Sequence, residues 1–319
     1  MILKWKTKEY KSYYNQDRYF YIHSELQKSD KFTFDGAETI RKTATFIGED
    51  KNIYMDSSDG VNDDLNINEY CGRIKRIIID CEGKPVLFFK AAYSNEKSSK
   101  IVELAKANNG KVIPFFKWSF NKDFYSHVIG RRDEFNEKYK DVKKEYDIGY
   151  FCGLDPYKYP RPSKEDPSIS WSDHKHFHLR GFSENEGNFI NNSRKDVFDK
   201  LKESGFKVLH MQNLSYLDYI EASYKCKVII NPPGMGEYTS RLVDQCYLGN
   251  CIAMRTNSYD QGLTWKNHIP QINFKSDNFK DQLNEVIENH ESHARKCQEY
   301  FDTCWTPQAV VDYFLNNID

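Results

Sequence analysis

Glu237, Arg241 and Asp244 stand at i, i+4 and i+7, so a helix carries all three on one face, with Ser240 beside them. They follow "INPPGMGEYTS", in which Pro232 and Pro233 end a strand ladder while Gly234 and Gly236 let the backbone turn sharply and approach a ligand. A helix that opens there points free N–H groups at whatever lies beyond the strand. A nucleoside diphosphate would use all of these parts: the N–H groups and Arg241 for phosphate, Ser240 as a donor, and a carboxylate for the ribose hydroxyls. The competing reading is a surface Glu237–Arg241 ion pair on an ordinary helix. Position favours the ligand, because open α/β sheets bind ligands outside the carboxyl ends of their strands, where this turn stands.

Other residues have the right types for the rest of such chemistry. Asp56 and Asp59 flank the end of the strand-like "NIYMD"; either could take a proton from a hydroxyl nucleophile, or "DSSDG" could simply be turn chemistry. Lys90 interrupts the apolar "LFFKAAY", where it would bind a phosphate or acceptor, pair with Asp56 or Asp59, or lie exposed on an edge strand. Lys117, after "VIPFF", sits similarly. Arg194 could neutralise a diphosphate or decorate its helix surface. In "DHKHFHLR", His174, His176 and His178 alternate as zinc ligands on a strand could, but Asp173 falls on the opposite face. A polar segment lining a cleft, with Arg180 reaching a phosphate, fits that stretch better than a metal.

These residues need a scaffold, and the hydrophobic pattern supplies one. Between Ala44 and Phe120 the chain reads as βαβαβ: strands at 52–56, 85–93 and 111–116, helices at 66–79 and 98–110. Residues 121–146 are charged and apolar-poor, which predicts a solvated helix and connector, with a domain boundary near 145. Alternation then resumes, with strands at 147–153 and 207–211, helices at 193–205 and 215–226, and the strand, helix and strand of "KVIINPPGMGEYTSRLVDQCYLGNCIAM". Within the last, Tyr238, Leu242, Cys246, Val243 and Tyr247 form the face turned to the sheet, opposite Arg241, and Gly249-Asn250 stops the helix. A short strand near 270–274, a helix over 277–301 and a helix capped by Thr306 and Pro307 complete the pattern. The organisation is an α/β domain over 1–145 and a second over 146–319.

Several of these stretches resemble the GT-B glycosyltransferases, particularly their exostosin-like and fucosyltransferase-like members. "GEYTSRLVDQCYLGNCIAM" resembles the donor-binding segment, "SRKDVFDKLKESG" the arginine-bearing helix after the first strand of the same domain, and "YMDSSDG" with "LFFKAAY" the strand-end acidic motif and adjacent strand of the amino-terminal domain in bacterial and viral members. The resemblance covers about residues 50–120 and 147–260; the segment between Asp155 and Phe182 has no counterpart in it. It implies two Rossmann-like domains facing across a cleft, a nucleotide-diphosphate sugar held by the second and a glycan acceptor by the first. The implied site residues are Asp56 or Asp59 as base, Arg194, Gly234, Gly236, Glu237, Ser240, Arg241 and Asp244 for the donor, and Lys90 and Arg180 for acceptor or phosphate. It also implies inversion at the sugar and no obligatory metal, in keeping with the lack of a D-x-D triplet that would bridge a diphosphate through a divalent ion.

Composition excludes some classes. With 46 Lys and Arg against 47 Asp and Glu, the chain has no global attraction to nucleic acid or to anionic membrane. No run approaches the ~18 apolar residues of a membrane span, and the amino terminus lacks the core of a signal peptide, so a soluble, cytoplasmic protein is expected. The eight cysteines form no CxxC pair and read as reduced, buried thiols. No P-loop and no G-x-S-x-G elbow appears. Two alternatives stay open: an epimerase-type enzyme acting on a nucleotide sugar, and a glycan- or nucleotide-binding module without turnover.

Overall fold

The computed structural model describes residues 5–7, 28, 32–33, 43–47, 50–56, 84–90, 99–115, 128–154, 184–212, 214–232, 239–256 and 267–318. They form two sheets. The first contains β1 (Trp5–Thr7), β2 (Phe32–Thr33), β3 (Thr43–Ile47), β4 (Asn52–Asp56), β5 (Val86–Lys90) and β6 (Lys111–Pro114), in the order β2-β1-β3-β4-β5-β6. β4, β5 and β6 run parallel, as the βαβαβ pattern predicts, and α1 (Ser99–Lys106) provides the crossover from β5 to β6. The helix expected over 66–79 lies outside the described residues. β3 pairs antiparallel with β4, an extension that the alternation after Ala44 does not reveal.

The second sheet is parallel throughout. Its strands are β7 (Tyr146–Phe151), β8 (Val208–Met211), β9 (Cys226–Asn231), β10 (Ile252–Arg255) and β11 (Gln271–Ile272), ordered β11-β10-β9-β7-β8. Strands buried on both faces read as continuous apolar runs, and these do. On one side Ile148, Tyr150, Val228, Ile230 and Ala253 pack against Val197 and Leu201 of α3 (Glu184–Glu203) and against Phe279, Leu283 and Val286 of α6 (Phe279–Glu288). On the other, Phe151, Ile229, Ile252 and Met254 pack with α4 (Tyr216–Tyr224), α5 (Ser240–Leu248) and α7 (His290–Tyr300). Gly149 permits this closeness: a Cβ there would stand 2.8 Å from Cys226 Sγ and from the Phe151 ring.

Local signals act where expected. Ser215 caps α4, accepting from the Asp218 N–H at 3.2 Å and donating to its carboxylate at 2.6 Å. Gly249 ends α5 in the left-handed region at φ 73°. Thr306 Oγ1 accepts from Ala309 N–H at 3.2 Å at the start of α8 (Pro307–Ile318). The helix expected over 277–301 is instead two, broken at Asn289 (φ −103°, ψ 18°), and α7 runs on into a π-helical turn over Phe301–Trp305.

The connector between the sheets is not a solvated strut. On α2 (Arg132–Tyr139), Phe135 and Tyr139 are buried, and Tyr139 stacks on Tyr224 of α4 at 4.6 Å. Arg132 lies over the Tyr247 ring at 4.4 Å and pairs with Asp302 through bonds of 2.7 and 3.1 Å. The last helix crosses back to the first sheet: Phe314 packs on Phe89 and Phe115, and the Tyr313 hydroxyl donates to the Pro114 carbonyl at 2.7 Å. Ile53, Phe89 and Ile113 of the first sheet therefore share one hydrophobic core with α5, α7 and α8.

Candidate anion site at the carboxyl end of β7

From β7 the chain passes to β8 on one side of the sheet, then to β9 on the other. The order therefore reverses between β7 and β9, and crevices of this kind, at strand carboxyl ends, are where doubly wound sheets hold ligands.

At the end of β7 the backbone is gripped by two side chains from neighbouring elements. His210, at the end of β8, donates through Nε2 to the Cys152 carbonyl at 3.0 Å, which fixes its tautomer. Arg194 of α3 directs Nη1 at the next carbonyl, that of Gly153, at 3.5 Å. Beneath them Tyr150 is fully buried, and its hydroxyl donates to the backbone carbonyl of Arg194 at 3.0 Å. Its ring stacks on Phe198, one helical turn after Arg194, at 6.1 Å, and Phe198 meets His210 at 4.5 Å.

Three arginines bring their charge to this point. Burial pushes the Tyr150 phenol far up, as do the Cys152 thiol beside it and the bond to it, against the fields of Arg194 and Arg255. Burial likewise raises the Cys152 thiol, against its bond to Tyr150 and the fields of Arg194 and Arg241. Arg194, Arg241 and Arg255 are each half-buried and come from three different elements, α3, α5 and β10.

The start of α5 is tied to the strand that feeds it. Thr239 takes the N-cap position but makes no side-chain bond to the helix; its hydroxyl donates to Asn231 Oδ1 at 2.6 Å, joining the two ends of the glycine-rich turn. The helix is then held by a buried polar chain: Asn250 Nδ2 donates to Gln245 Oε1 at 2.9 Å, and Gln245 Nε2 donates to the Tyr219 hydroxyl at 2.6 Å and to Ser223 Oγ at 3.2 Å.

Asp244 shares its face of α5 with Arg241, but that face is covered. Asp244 is 1% exposed, because α5 is buried on every side from Leu242 to Leu248. Tyr247, expected on the sheet-facing stripe, instead lies under Arg132 at 4.4 Å and against Phe301 at 5.0 Å, because α2, α7 and the π-turn cover α5 as a third layer. Burial raises the Tyr219 phenol and the Asp244 charge raises it further, while Arg241 opposes both.

In the first sheet, Lys90 is also 1% exposed, and β5 lies between β4 and β6. Edge exposure is therefore excluded. The parallel register sets its Cα against that of Asp56, at the carboxyl ends of β5 and β4. The side chains of Asp56 and Ser240, and residues Asp59, Lys117, the three histidines, Arg180, Gly234, Gly236 and Glu237, lie outside the described residues. Of the eight cysteines, Cys152, Cys226, Cys246, Cys251 and Cys297 are free and buried and Cys304 is free and half-buried; Cys71 and Cys81 also lie outside. Burial pushes the Cys226 thiol up to about 12.

Sequence reasoning missed Arg255, Tyr150 and His210. Arg255 closes an apolar strand and reads as an ordinary terminal charge; the available signal was its place at a carboxyl end, the same rule that singled out "PPGMGEYTSR". Tyr150 and His210 read as core positions of short strands. Among the described residues no group of three or more His, Cys, Asp or Glu could hold a metal ion, and no helix is long and apolar enough to cross a membrane. No family model matches the chain, and no curated protein matches it. Among solved structures it is similar to WaaG, a glycosyltransferase involved in lipopolysaccharide biosynthesis, at 13% identity and a TM-score of 0.37 over 96% of this chain and 85% of that one.

Proposed function

We propose that the protein transfers a sugar from a nucleoside-diphosphate donor to a hydroxyl of a glycan acceptor, and that the donor's diphosphate binds at the carboxyl end of β7. The observation that carries this reading is Arg194 reaching the Gly153 carbonyl at 3.5 Å just past the end of β7, at the reversal point of a parallel sheet, where the fields of Arg241 and Arg255 are also felt at Cys152 and Tyr150. Guanidinium groups suit phosphate oxygens, and three held in advance would stabilise the leaving diphosphate as charge develops on it, without reorganisation during the reaction. The uncapped start of α5 would add backbone N–H groups to the same anion. The motif resemblance supplies the class of reaction, inversion at the sugar and independence from metal.

In this reading Asp56 or Asp59 takes the acceptor's proton. Lys90 supports that end of the first sheet: an ammonium so fully enclosed is held by fixed partners and tunes charge at the strand ends instead of reaching out to an acceptor. Gly234, Gly236, Glu237 and Ser240 shape the donor pocket, and Arg180 reaches acceptor or phosphate. Asp244, being enclosed, holds α5 in place rather than touching ribose, which leaves Glu237 for the hydroxyls.

A thermal-shift panel of UDP, GDP, TDP, CMP, ADP and NAD, with and without Mg²⁺, tests the reading. A ligand of the folded state raises stability by RT ln(1 + [L]/Kd), about 2.7 kcal/mol at a hundredfold excess over Kd. One nucleoside diphosphate should raise the melting temperature without Mg²⁺, and Arg194→Ala, Arg241→Ala and Arg255→Ala should each abolish most of the shift. A flat panel, or a shift from NAD alone, would overturn it.

A further inference from the structure

We infer that Tyr150 is a positioning residue for Arg194, holding its guanidinium over the end of β7 where an anionic ligand would bind; the ligand half of this inference rests on the diphosphate reading above. Two contacts from one side chain do this. The Tyr150 ring lies parallel to Phe198 at 6.1 Å with 9° between planes, which sets the rotation of α3 about its axis. The hydroxyl at the far end of the same ring donates to the Arg194 carbonyl at 3.0 Å, which sets the position of that turn along the strand. A helical carbonyl has a second lone pair for such a bond, so the helix ladder stays intact.

The side chain that this turn carries then reaches the carbonyl of Gly153, two residues past the end of the strand that holds Tyr150, at 3.5 Å. Backbone and guanidinium of Arg194 are thus both referenced to β7. Burial raises the phenol's pKa and so keeps its proton available for this bond.

Titrations of UDP and of GDP by calorimetry test this in wild type, Tyr150→Phe, Arg194→Ala, the double variant, and a protein with p-aminophenylalanine at position 150. Tyr150→Phe keeps the ring and removes the donor; it should weaken binding by about five- to tenfold. In the Arg194→Ala background the same change should have no further effect, and p-aminophenylalanine, whose N–H can donate to the carbonyl, should restore affinity. Tyr224→Phe, which removes a 2.9 Å bond to Asn136 elsewhere, should bind as wild type does. Unchanged affinity in Tyr150→Phe, an equal loss with and without Arg194, or failure of the amine to rescue would overturn the inference.

The Arg194 Nε–H resonance, assigned by its loss in Arg194→Lys, separates this from failure of the diphosphate reading. If wild type binds neither nucleotide but that resonance broadens or moves in Tyr150→Phe, positioning stands and the diphosphate reading falls. If the resonance is insensitive to Tyr150→Phe, positioning falls whatever the nucleotides do.

Discussion

Asp147 illustrates how charge is used in this protein away from the arginine site. Burial alone would raise its carboxyl, but the bond from Lys227 Nζ at 2.8 Å, the Lys207 N–H at 3.0 Å and the fields of both lysines prevail and hold it below the usual carboxylate value of 3.8. A depressed folded-state value stabilises the fold above the unfolded value, and that contribution disappears as pH falls from 3.8 through the lower folded value. Asp147→Asn should therefore cost about 1 kcal/mol or less at pH 7, since both partners are partly solvated. Denaturant titrations of the two proteins should converge at pH values low enough to protonate Asp147 in the folded state; a gap that persists there would mean that the loss is steric. At this scale Arg194 and Arg241 were legible because each lies on a helix that follows a strand and a polar turn. Arg255 was not: it reads as an ordinary charge closing an apolar strand, and the adjacency of β10 to β9 that brings it toward β7 does not show in the sequence.

The element that matters most is α5, whose first turn faces the site and whose last turn meets the connector. Its strand–turn–helix–strand pattern and its glycine stop are plain in "KVIINPPGMGEYTSRLVDQCYLGNCIAM", but Tyr247 of the expected sheet-facing stripe meets the connector. The burial of α5 on every side is not plain there, since the covering pieces, α2, α7 and the π-turn, lie far from it in sequence. The same long-range packing turns a charged connector into a partly buried helix, with Phe135 and Tyr139 at i, i+4 as the only local hint. Gln245 is the fixed point of α5: Gln245→Ala leaves the Tyr219 hydroxyl, Ser223 and Asn250 without that shared partner in a fully buried place. A loss of about 2–4 kcal/mol is expected in urea or thermal unfolding. A cost below 1 kcal/mol would mean that the network relaxes onto other partners.

At the scale of the whole molecule, the chain passes between the sheets twice, and the two passages are joined. Gly130 N–H donates to the Tyr247 hydroxyl at 2.8 Å, Arg132 bridges Tyr247 and Asp302, and a few residues later α8 settles Phe314 against Phe89 and Phe115. The parallel order of β4, β5 and β6 and of the second sheet follows from the hydrophobic alternation; the return of the last helix to the first sheet does not, because its apolar face fits either. This arrangement gives α5 contact with both the candidate site and the links between the halves, so ligand at its first turn and closure of the halves would be coupled. The most direct test of the account is release of nucleoside diphosphate from a panel of UDP- and GDP-sugars, with and without glycan acceptors, by wild type and Arg241→Ala. Release that requires an acceptor and is lost in the variant is the predicted result. Conversion of the sugar with its nucleotide still attached, or tight binding without turnover under any acceptor, would contradict it.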